Sequence, residues 1–156
     1  MIRLIAVKKE DKDLLFNINQ KYLYEMTLYY PDKMDEMGNL HYGYFEEYFV
    51  DENRKAFFIY NDALLVGFAM VHPYSVIGGN PDYTLAEFCI FPSYRRKGFA
   101  VNAVNILFDM FKGKWEIKYN NKNLGAKKLW TMITSSYNPK VCYLNEEEVV
   151  LEFTVN

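Results

Sequence analysis

Residues 86 to 100 combine a strand, a basic turn and a glycine that begins a helix. The first turn of a helix has backbone N–H groups without intrahelical partners, and the helix dipole makes this end positive. Gly98 lets a ligand approach the backbone closely, and Arg95, Arg96 and Lys97 add positive charge. This order of features predicts a site for a pyrophosphate group.

A solvated basic turn before a surface helix is the alternative interpretation of the same residues. The charges alone favour that alternative, whereas the strand, turn, glycine and helix taken together favour a phosphate site. The segment contains neither the Walker P-loop pattern nor the GxGxxG pattern of dinucleotide-binding folds. ATP and NAD are therefore poor candidates for its ligand.

Two segments together resemble the GNAT superfamily of N-acetyltransferases. Residues 95–100, Arg-Arg-Lys-Gly-Phe-Ala, are similar to its pyrophosphate signature of Arg or Gln, two residues, Gly, one residue, and Gly or Ala. Residues 123–130, Asn-Leu-Gly-Ala-Lys-Lys-Leu-Trp, resemble its Asn-x-x-Ala-x-x-Leu/Phe-Tyr helix, which contacts coenzyme A. Residues 111–115 also resemble a segment of a subgroup of uncharacterised bacterial acetyltransferases.

The resemblance implies an acetyl-CoA cosubstrate and no metal. In this superfamily the cosubstrate lies in a V between two splayed parallel strands, which here are the strand ending near Phe91 and the strand at 115–119. A backbone N–H of the first strand then polarises the thioester carbonyl. The implied cofactor-binding residues are Phe88, Cys89, Ile90, Phe91, Arg95, Arg96, Lys97, Gly98, Phe99, Ala100, Asn123, Ala126 and Trp130.

Glu87 is the candidate general base, because an ammonium acceptor must lose a proton before its nitrogen attacks a thioester. It interrupts an apolar strand, Leu85-Ala86-Glu87-Phe88-Cys89, where burial raises the pKa of a carboxyl group. Two alternatives remain open: Glu87 faces solvent or pairs with a lysine of a neighbouring strand. Deprotonation through water would reduce the need for any single base.

Trp130 departs from the family pattern, which often has a tyrosine at this position that protonates the leaving thiolate. An indole N–H is not a general acid at neutral pH, so we expect Trp130 to pack beside the cofactor. Tyr119 and Tyr137 are weak substitutes, and Tyr137 is our candidate acid. The thiolate leaving without enzymic protonation is the other possibility.

Aromatic residues are frequent in the first sixty positions, and several alternate with acidic residues. This pattern is compatible with a pocket for a cationic amine lined by Tyr29, Tyr30, Tyr42, Tyr44 and Tyr48, of which Tyr29, Tyr30 and Tyr44 are our candidates. The alternative interpretation is an aromatic stripe facing the core with a solvated acidic rim.

The pattern of apolar residues predicts one mixed α/β domain over residues 1–156. Strands are expected at 2–7, 56–60, 63–71, 83–91, 115–119, 141–144 and 149–155, and helices at 12–29, 44–49, 98–112 and 123–136. Hairpins make the sheet largely antiparallel, and a helix between two strands requires a parallel pair. We therefore expect a GNAT-like, largely antiparallel mixed sheet with one splayed parallel pair and helices on both faces.

Composition excludes several classes of protein. The net charge of −2 argues against a general nucleic-acid binder, and no apolar run suggests a transmembrane helix or a secretory signal. Cys89 and Cys142 have no metal-ligand spacing with His41 or His72, so we expect buried free thiols in a cytoplasmic protein. A homodimer formed through exposed strand edges is compatible with the pattern.

The resulting hypothesis is transfer of an acetyl group from acetyl-CoA to a primary amine of a small molecule or peptide. A non-catalytic CoA-binding sensor or regulatory module is the first alternative, suggested by Trp130. A purely structural interaction domain is the second, suggested by the aromatic N-terminal half.

Overall fold

The computed structural model describes residues 1–156 and contains a seven-stranded sheet with three α-helices. The strands are β1 (Ile2–Ala6), β2 (Lys55–Asn61), β3 (Leu64–His72), β4 (Tyr83–Ile90), β5 (Gly113–Asn120), β6 (Lys140–Tyr143) and β7 (Glu148–Val155). The helices are α1 (Lys12–Met26), α2 (Phe99–Met110) and α3 (Leu124–Thr134). None of these helices is both long and apolar enough to cross a membrane.

The strand order is β1-β2-β3-β4-β5-β7-β6, and every neighbouring pair is antiparallel except β4 and β5. Helix α2 is the crossover that connects these two parallel strands. The single parallel pair therefore lies in the middle of the sheet, with a helix N-terminus directly after its first strand.

The helices cover opposite faces of the sheet. Leu15 and Ile18 of α1 pack on Phe58, Phe68 and Met70, which form one core with Cys89. On the other face, α2 and α3 supply Val104, Leu107, Phe108 and Trp130 to a second core with Trp115, Ile117 and Leu151. We call these two sides the α1 face and the α2/α3 face.

Ala86 is an extra residue in β4. The β3–β4 register pairs Met70 with Glu87 but Val71 with Leu85, so Ala86 has no partner and forms a β-bulge. Leu85 and Phe88 consequently both pack into the core of the α2/α3 face, although they are three positions apart and regular alternation would place them on opposite faces. The bulge reverses the alternation of side chains, and Glu87 therefore lies on the α1 face.

Most element boundaries agree with the sequence-based expectations, with three differences. Helix α1 ends at Met26 rather than Tyr29, where the Thr27 hydroxyl donates to the Tyr24 carbonyl at 2.6 Å and ends the helix before Pro31. The short helix expected at 44–49 is a 3₁₀ turn, Glu46–Phe49. The β2–β3 turn lies one residue later than expected, with Asp62 in the left-handed region at φ 54°.

We call residues 95–98, which the sequence predicts to bind pyrophosphate, the phosphate turn. Gly67 lets β3 and β4 approach closely at the end of β4 that leads into this turn. A Cβ atom built on Gly67 lies 2.1 Å from the carbonyl oxygen of Cys89. We expect Gly67→Ala to lower the free energy of unfolding by about 3 kcal/mol or more, because backbone must move to relieve the overlap. Chemical denaturation measures this change.

Gly125→Ala is the matched control for Gly67→Ala. Its Cβ has a nearest neighbour at 3.8 Å, an ordinary contact, in the exposed first turn of α3. We expect this variant to be as stable as the wild type or more stable by up to about 1 kcal/mol. Equal stability of the two variants would contradict the close approach of β3 and β4.

Candidate active site

Strands β4 and β5 separate partway along their length. Their parallel ladder pairs Tyr83 to Leu85 with Trp115 to Ile117 and ends there, whereas β4 continues to Ile90 and β5 to Asn120. Beyond the ladder, the facing backbone edges of the two strands do not hydrogen-bond to each other. Such edges hydrogen-bond to a ligand that carries amides of its own.

The turn after β4 presents a set of backbone donors. Arg96 and Gly98 both adopt left-handed conformations, with φ of 63° and 78°. The backbone N–H groups from Arg96 to Val101 have no acceptor within the protein, since the first bond of this helix is from Asn102 N–H to the Gly98 carbonyl. Successive free backbone N–H groups in a turn at a helix N-terminus form an anion-binding site.

Space is available at this turn. A Cβ atom on Gly98 would meet no atom within 4 Å, and the side chains of Arg96 and Lys97 are exposed. The donors, the two free cations and the helix N-terminus fit a pyrophosphate group. Arg95 differs from its neighbours, because its guanidinium group is held by Glu25 of α1.

The start of α3 borders the opening between the strands. Asn123 is the N-cap of α3, and its Oδ1 accepts a hydrogen bond from the Ala126 N–H at 3.1 Å. Trp130 is buried, and its indole meets the Phe88 ring edge-to-face with centroids 5.3 Å apart. Its packing position agrees with the role expected from the sequence, while the contacts of Asn123, Ala126 and Trp130 with a cofactor stay predictions.

Glu87 lies directly after the point where β4 leaves β5, on the α1 face. Burial raises the pKa of its carboxyl group to about 7, partly opposed by the hydroxyls of Tyr22 and Tyr42 and by the charge of Lys118. A carboxyl group with this pKa is ionised in part at neutral pH and can exchange a proton with an amine. Glu87 is half-buried rather than fully exposed to solvent, and Lys118 of β5 is the neighbouring-strand lysine that the sequence left open as its partner.

Lys118 belongs to a polar group on the α1 face of β5 and β7. Its Nζ lies 2.8 Å from Glu148 Oε2, and the Tyr30 hydroxyl donates to the same oxygen at 3.1 Å. The Lys118 ammonium also lies 5.9 Å from the centre of the Tyr30 ring. The structure thus places Tyr30 on the same side of the sheet as Glu87.

Tyr44 lies elsewhere, in contact with the protein's own cation. The Arg54 guanidinium lies 4.7 Å from the Tyr44 ring centre and 4.6 Å from that of Tyr74. Arg54 also pairs with Asp51 at 3.3 Å. Tyr29 lies in the turn after α1, where its N–H donates to the Met26 carbonyl. Acceptor binding by Tyr29, Tyr30 and Tyr44 stays a prediction.

Both cysteines are free thiols. Cys89 is buried beside Phe68, and burial raises the pKa of its thiol to about 11. It is therefore protonated at neutral pH and is not an activated nucleophile. Cys142 is only partly buried, which corrects the expectation of two buried thiols, and its Sγ lies 2.9 Å from a Glu152 carboxylate oxygen.

Tyr137 lies on the α2/α3 face. Its ring packs against Phe108 and Phe153, with centroid distances of 5.6 Å in both contacts. Phe153 pairs with Trp115, within the section where β4 and β5 are still joined. The structure therefore does not bring Tyr137 together with Glu87, which lies on the opposite face beyond the ladder.

We expect Tyr137→Phe to keep the rate of acetyl transfer within about twofold of the wild type, since loss of a true general acid costs about a hundredfold or more. The variant keeps the ring and its packing. Steady-state rates at saturating acetyl-CoA measure the effect. A hundredfold loss of this rate with unchanged thermal stability would instead identify Tyr137 as the general acid.

Three residues on the α1 face, Tyr22, Lys118 and Glu148, were not identified as site residues from the sequence. From the sequence, Tyr22 was assigned only to the apolar stripe of α1. Its hydroxyl, a polar group within that stripe, was the feature that could have indicated a contact with Glu87. Lys118 alternates with apolar neighbours in β5, which indicates that it lies on the opposite face of the strand from them. The alternation does not identify its partner, Glu148. Glu148 lies in a segment whose sequence carries no signal for this site. Tyr42 was among the tyrosines expected from the sequence to line the acceptor pocket, and its hydroxyl lies close to Glu87.

The sequence matches the acetyltransferase (GNAT) family over residues 15–132. This match covers most of the chain, and the chain belongs to this family. The matched range includes the phosphate turn, both splayed strands and nearly all of α3. No curated protein is significantly similar to the sequence.

Solved structures share the fold at low sequence identity. An acetyltransferase from Thermus thermophilus is 15% identical, with a TM-score of 0.72 and coverage of 99% of this chain and 97% of that chain. NAA60 of Arabidopsis thaliana in complex with acetyl-CoA is 11% identical, with a TM-score of 0.64 and coverage of 100% and 99%. Spermidine N-acetyltransferase from Vibrio cholerae with CoA and spermine is 16% identical, with a TM-score of 0.65 and coverage of 99% and 95%.

The family match and these structures confirm three sequence-based predictions: the family, the mixed sheet with one parallel pair, and a GNAT-type N-acetyltransferase. The fold and its acetyl-CoA-bound relative also support acetyl-CoA as the cosubstrate in general. The roles of individual site residues and the single domain over residues 1–156 stay predictions.

Proposed function

We propose that the protein transfers an acetyl group from acetyl-CoA to a primary amine of a small molecule or peptide, directly within a ternary complex. One observation carries the proposal: the opening between β4 and β5 connects a phosphate turn with a carboxyl group whose pKa is about 7. Phosphate binding and proton transfer are the two functions that such a reaction requires of the protein.

Acetyl-CoA supplies an activated thioester for this reaction. The free N–H groups of the turn, together with Arg96 and Lys97, bind the pyrophosphate. The unpaired backbone edge of β4 from Phe88 to Phe91 holds the pantetheine and the thioester, and an N–H of this edge donates to the thioester carbonyl. Asn123, Ala126 and Trp130 line the same opening from the side of α3.

Glu87 accepts the proton that the acceptor ammonium loses. The amine nitrogen then bonds to the carbonyl carbon, the carbon–sulfur bond breaks, and CoA leaves as a thiolate, while the second proton that the nitrogen loses passes to this thiolate or to water. Tyr22 and Tyr42 lie against Glu87, and burial raises the pKa values of both hydroxyls. Both tyrosines are therefore protonated at neutral pH, and their hydroxyls favour the ionised form of the Glu87 carboxyl group.

The acceptor enters from the α1 face, because Glu87 lies on this face. Tyr30, Lys118 and Glu148 lie on the same face at the end of β5, and we place the acceptor between them and Glu87. Two of the structurally similar proteins are spermidine N-acetyltransferases, which agrees with an amine acceptor. Tyr44 packs on Arg54, so its contact with an acceptor requires Arg54 to move.

A CoA-binding module without turnover is the second candidate. The observation that favours it is Trp130, a buried indole at the position where the family often has a tyrosine hydroxyl. Such a module would bind CoA and acetyl-CoA without releasing thiol in the presence of amines.

Calorimetric titration with acetyl-CoA, CoA and ATP tests the cosubstrate, and thiol release across an amine panel tests turnover. The panel contains polyamines, amino acids and peptides with free N-termini. We expect selective micromolar binding of acetyl-CoA, about −8 kcal/mol, and release of thiol with at least one amine. Binding without turnover would support the sensor, and no binding of either CoA species would overturn both candidates.

A further inference from the structure

Arg95 is tied to two separate parts of the fold. Its Nη1 and Nη2 atoms donate to the two carboxylate oxygens of Glu25, each at 2.7 Å. Its Nε donates to the Ile90 carbonyl, also at 2.7 Å. Paired N–H···O bonds from a guanidinium to a carboxylate are the strongest and most directional contacts that arginine makes.

The Phe91 N–H donates to the Val66 carbonyl of β3 at 2.8 Å, and the rest of the segment between β4 and α2 has few other hydrogen bonds. Within it, the Tyr94 N–H donates to Phe91 at 2.9 Å and the Arg95 N–H donates to Pro92 at 3.3 Å. The following residue, Arg96, adopts a left-handed conformation at φ 63°, which side-chain-bearing residues populate sparsely. Such a conformation persists only where the surrounding structure holds it.

We propose that Glu25 is a positioning residue for the cosubstrate: through Arg95 it holds the phosphate turn in the conformation that binds pyrophosphate. Helix α1 is the fixed part of this arrangement, because Leu15 and Ile18 bury it against the sheet. The Arg95 side chain then stabilises the turn and does not bind the phosphate. The cationic contacts to phosphate fall to Arg96 and Lys97 alone.

The inference rests on the proposed function, because it concerns the binding of acetyl-CoA by the same turn. It adds a residue of α1, far from the turn in sequence, to the cosubstrate site. It also changes the role of Arg95 from a direct phosphate contact to an internal clamp between α1, the end of β4 and the turn.

Glu25→Gln and Arg95→Lys test the clamp in the full-length protein. Glutamine replaces one of the two accepting oxygens by an NH2 donor and so loses the paired bonds, and lysine cannot make the fork to Glu25 and the bond to Ile90 together. We expect each variant to bind acetyl-CoA about tenfold more weakly in calorimetry. The double variant should bind no more weakly than the weaker single variant, since both changes break one arrangement.

Amide hydrogen exchange of the free protein gives a second readout. We expect faster exchange in residues 94–99 of both variants and unchanged exchange in the buried α2 residues Ala103, Val104, Leu107 and Phe108. Asp109→Asn is the matched control, because it breaks the exposed ion pair of Asp109 with Lys112 without touching the turn. We expect it to match the wild type in both measurements.

Wild-type affinity in Glu25→Gln would overturn the inference. Faster exchange throughout the protein would also overturn it, because it would show general destabilisation rather than positioning. A wild-type protein that does not bind acetyl-CoA would instead overturn the proposed function. In that case the exchange of residues 94–99 still decides whether Glu25 holds the turn.

Discussion

Glu87→Gln lowers the rate of acetyl transfer at pH 8 by about a hundredfold or more, the usual cost of losing a general base. Glutamine keeps the shape of the side chain and the contacts with Tyr22 and Tyr42, but it cannot accept the proton of the acceptor ammonium. Binding of acetyl-CoA stays at the wild-type level, because backbone and the phosphate turn hold the cosubstrate. Steady-state rates and calorimetry separate the two effects.

The pH dependence of the rate identifies Glu87 as the base. Since burial raises the pKa of this carboxyl group to about 7, the wild-type rate increases as the pH rises through about 7 and then levels off. The residual rate of Glu87→Gln does not show this increase with pH. Glu147→Gln, at an exposed position, is the matched control and keeps the full profile. A wild-type rate that is level from pH 5.5 to 8 would contradict the assignment.

The free energy of unfolding of the wild type decreases over the pH range in which its activity increases. The folded pKa of Glu87 is above its ordinary value of 4.5, so its contribution to stability is complete below pH 4.5 and is lost as the pH rises through about 7. At pH 8 the wild type therefore carries the cost of a buried charge that glutamine lacks. We expect Glu87→Gln to be more stable than the wild type at pH 8, by on the order of 2 kcal/mol, and to lose this advantage at pH 4.5.

Gly98→Ala weakens acetyl-CoA binding by about a hundredfold, equivalent to about 2.7 kcal/mol. Alanine disfavours the left-handed conformation that Gly98 adopts at φ 78°, so the turn rearranges and its N–H groups no longer converge. The added methyl group also projects into the open space where the pyrophosphate is expected. Calorimetric titration measures the loss.

Gly38→Ala is the matched control for Gly98→Ala. Gly38 has nearly the same φ, 77°, and its Cβ would likewise meet no atom within 4 Å, but it lies in the loop between α1 and β2. Both variants should lose about 1 kcal/mol of stability from backbone strain. Only Gly98→Ala should lose affinity for acetyl-CoA, and equal affinity of the two variants would contradict the phosphate turn.

The sequence by itself determined the parts of the site that are local. The strand, the basic turn, Gly98 and helix α2 follow one another within 28 residues, from Tyr83 to Met110, so short-range sequence patterns are enough to predict each of them. Helix α3 and its cap at Asn123 are local in the same sense, and the structure contains both. The resemblance to the family rested on these two segments, and the family match confirms it.

Only the tertiary structure decided the surroundings of Glu87. Regular alternation from Leu85 would place Glu87 on the same face as Leu85, and the bulge at Ala86 reverses this. A bulge forms from the register of two strands, and register depends on residues far apart in the chain, so no local pattern reveals it. The same holds for Arg95, whose partner Glu25 lies seventy positions earlier, and for Tyr137, which packing places on the opposite face. Contacts between distant segments are chosen by the packing of the whole sheet, and for this reason the chemistry of the site became visible only in three dimensions.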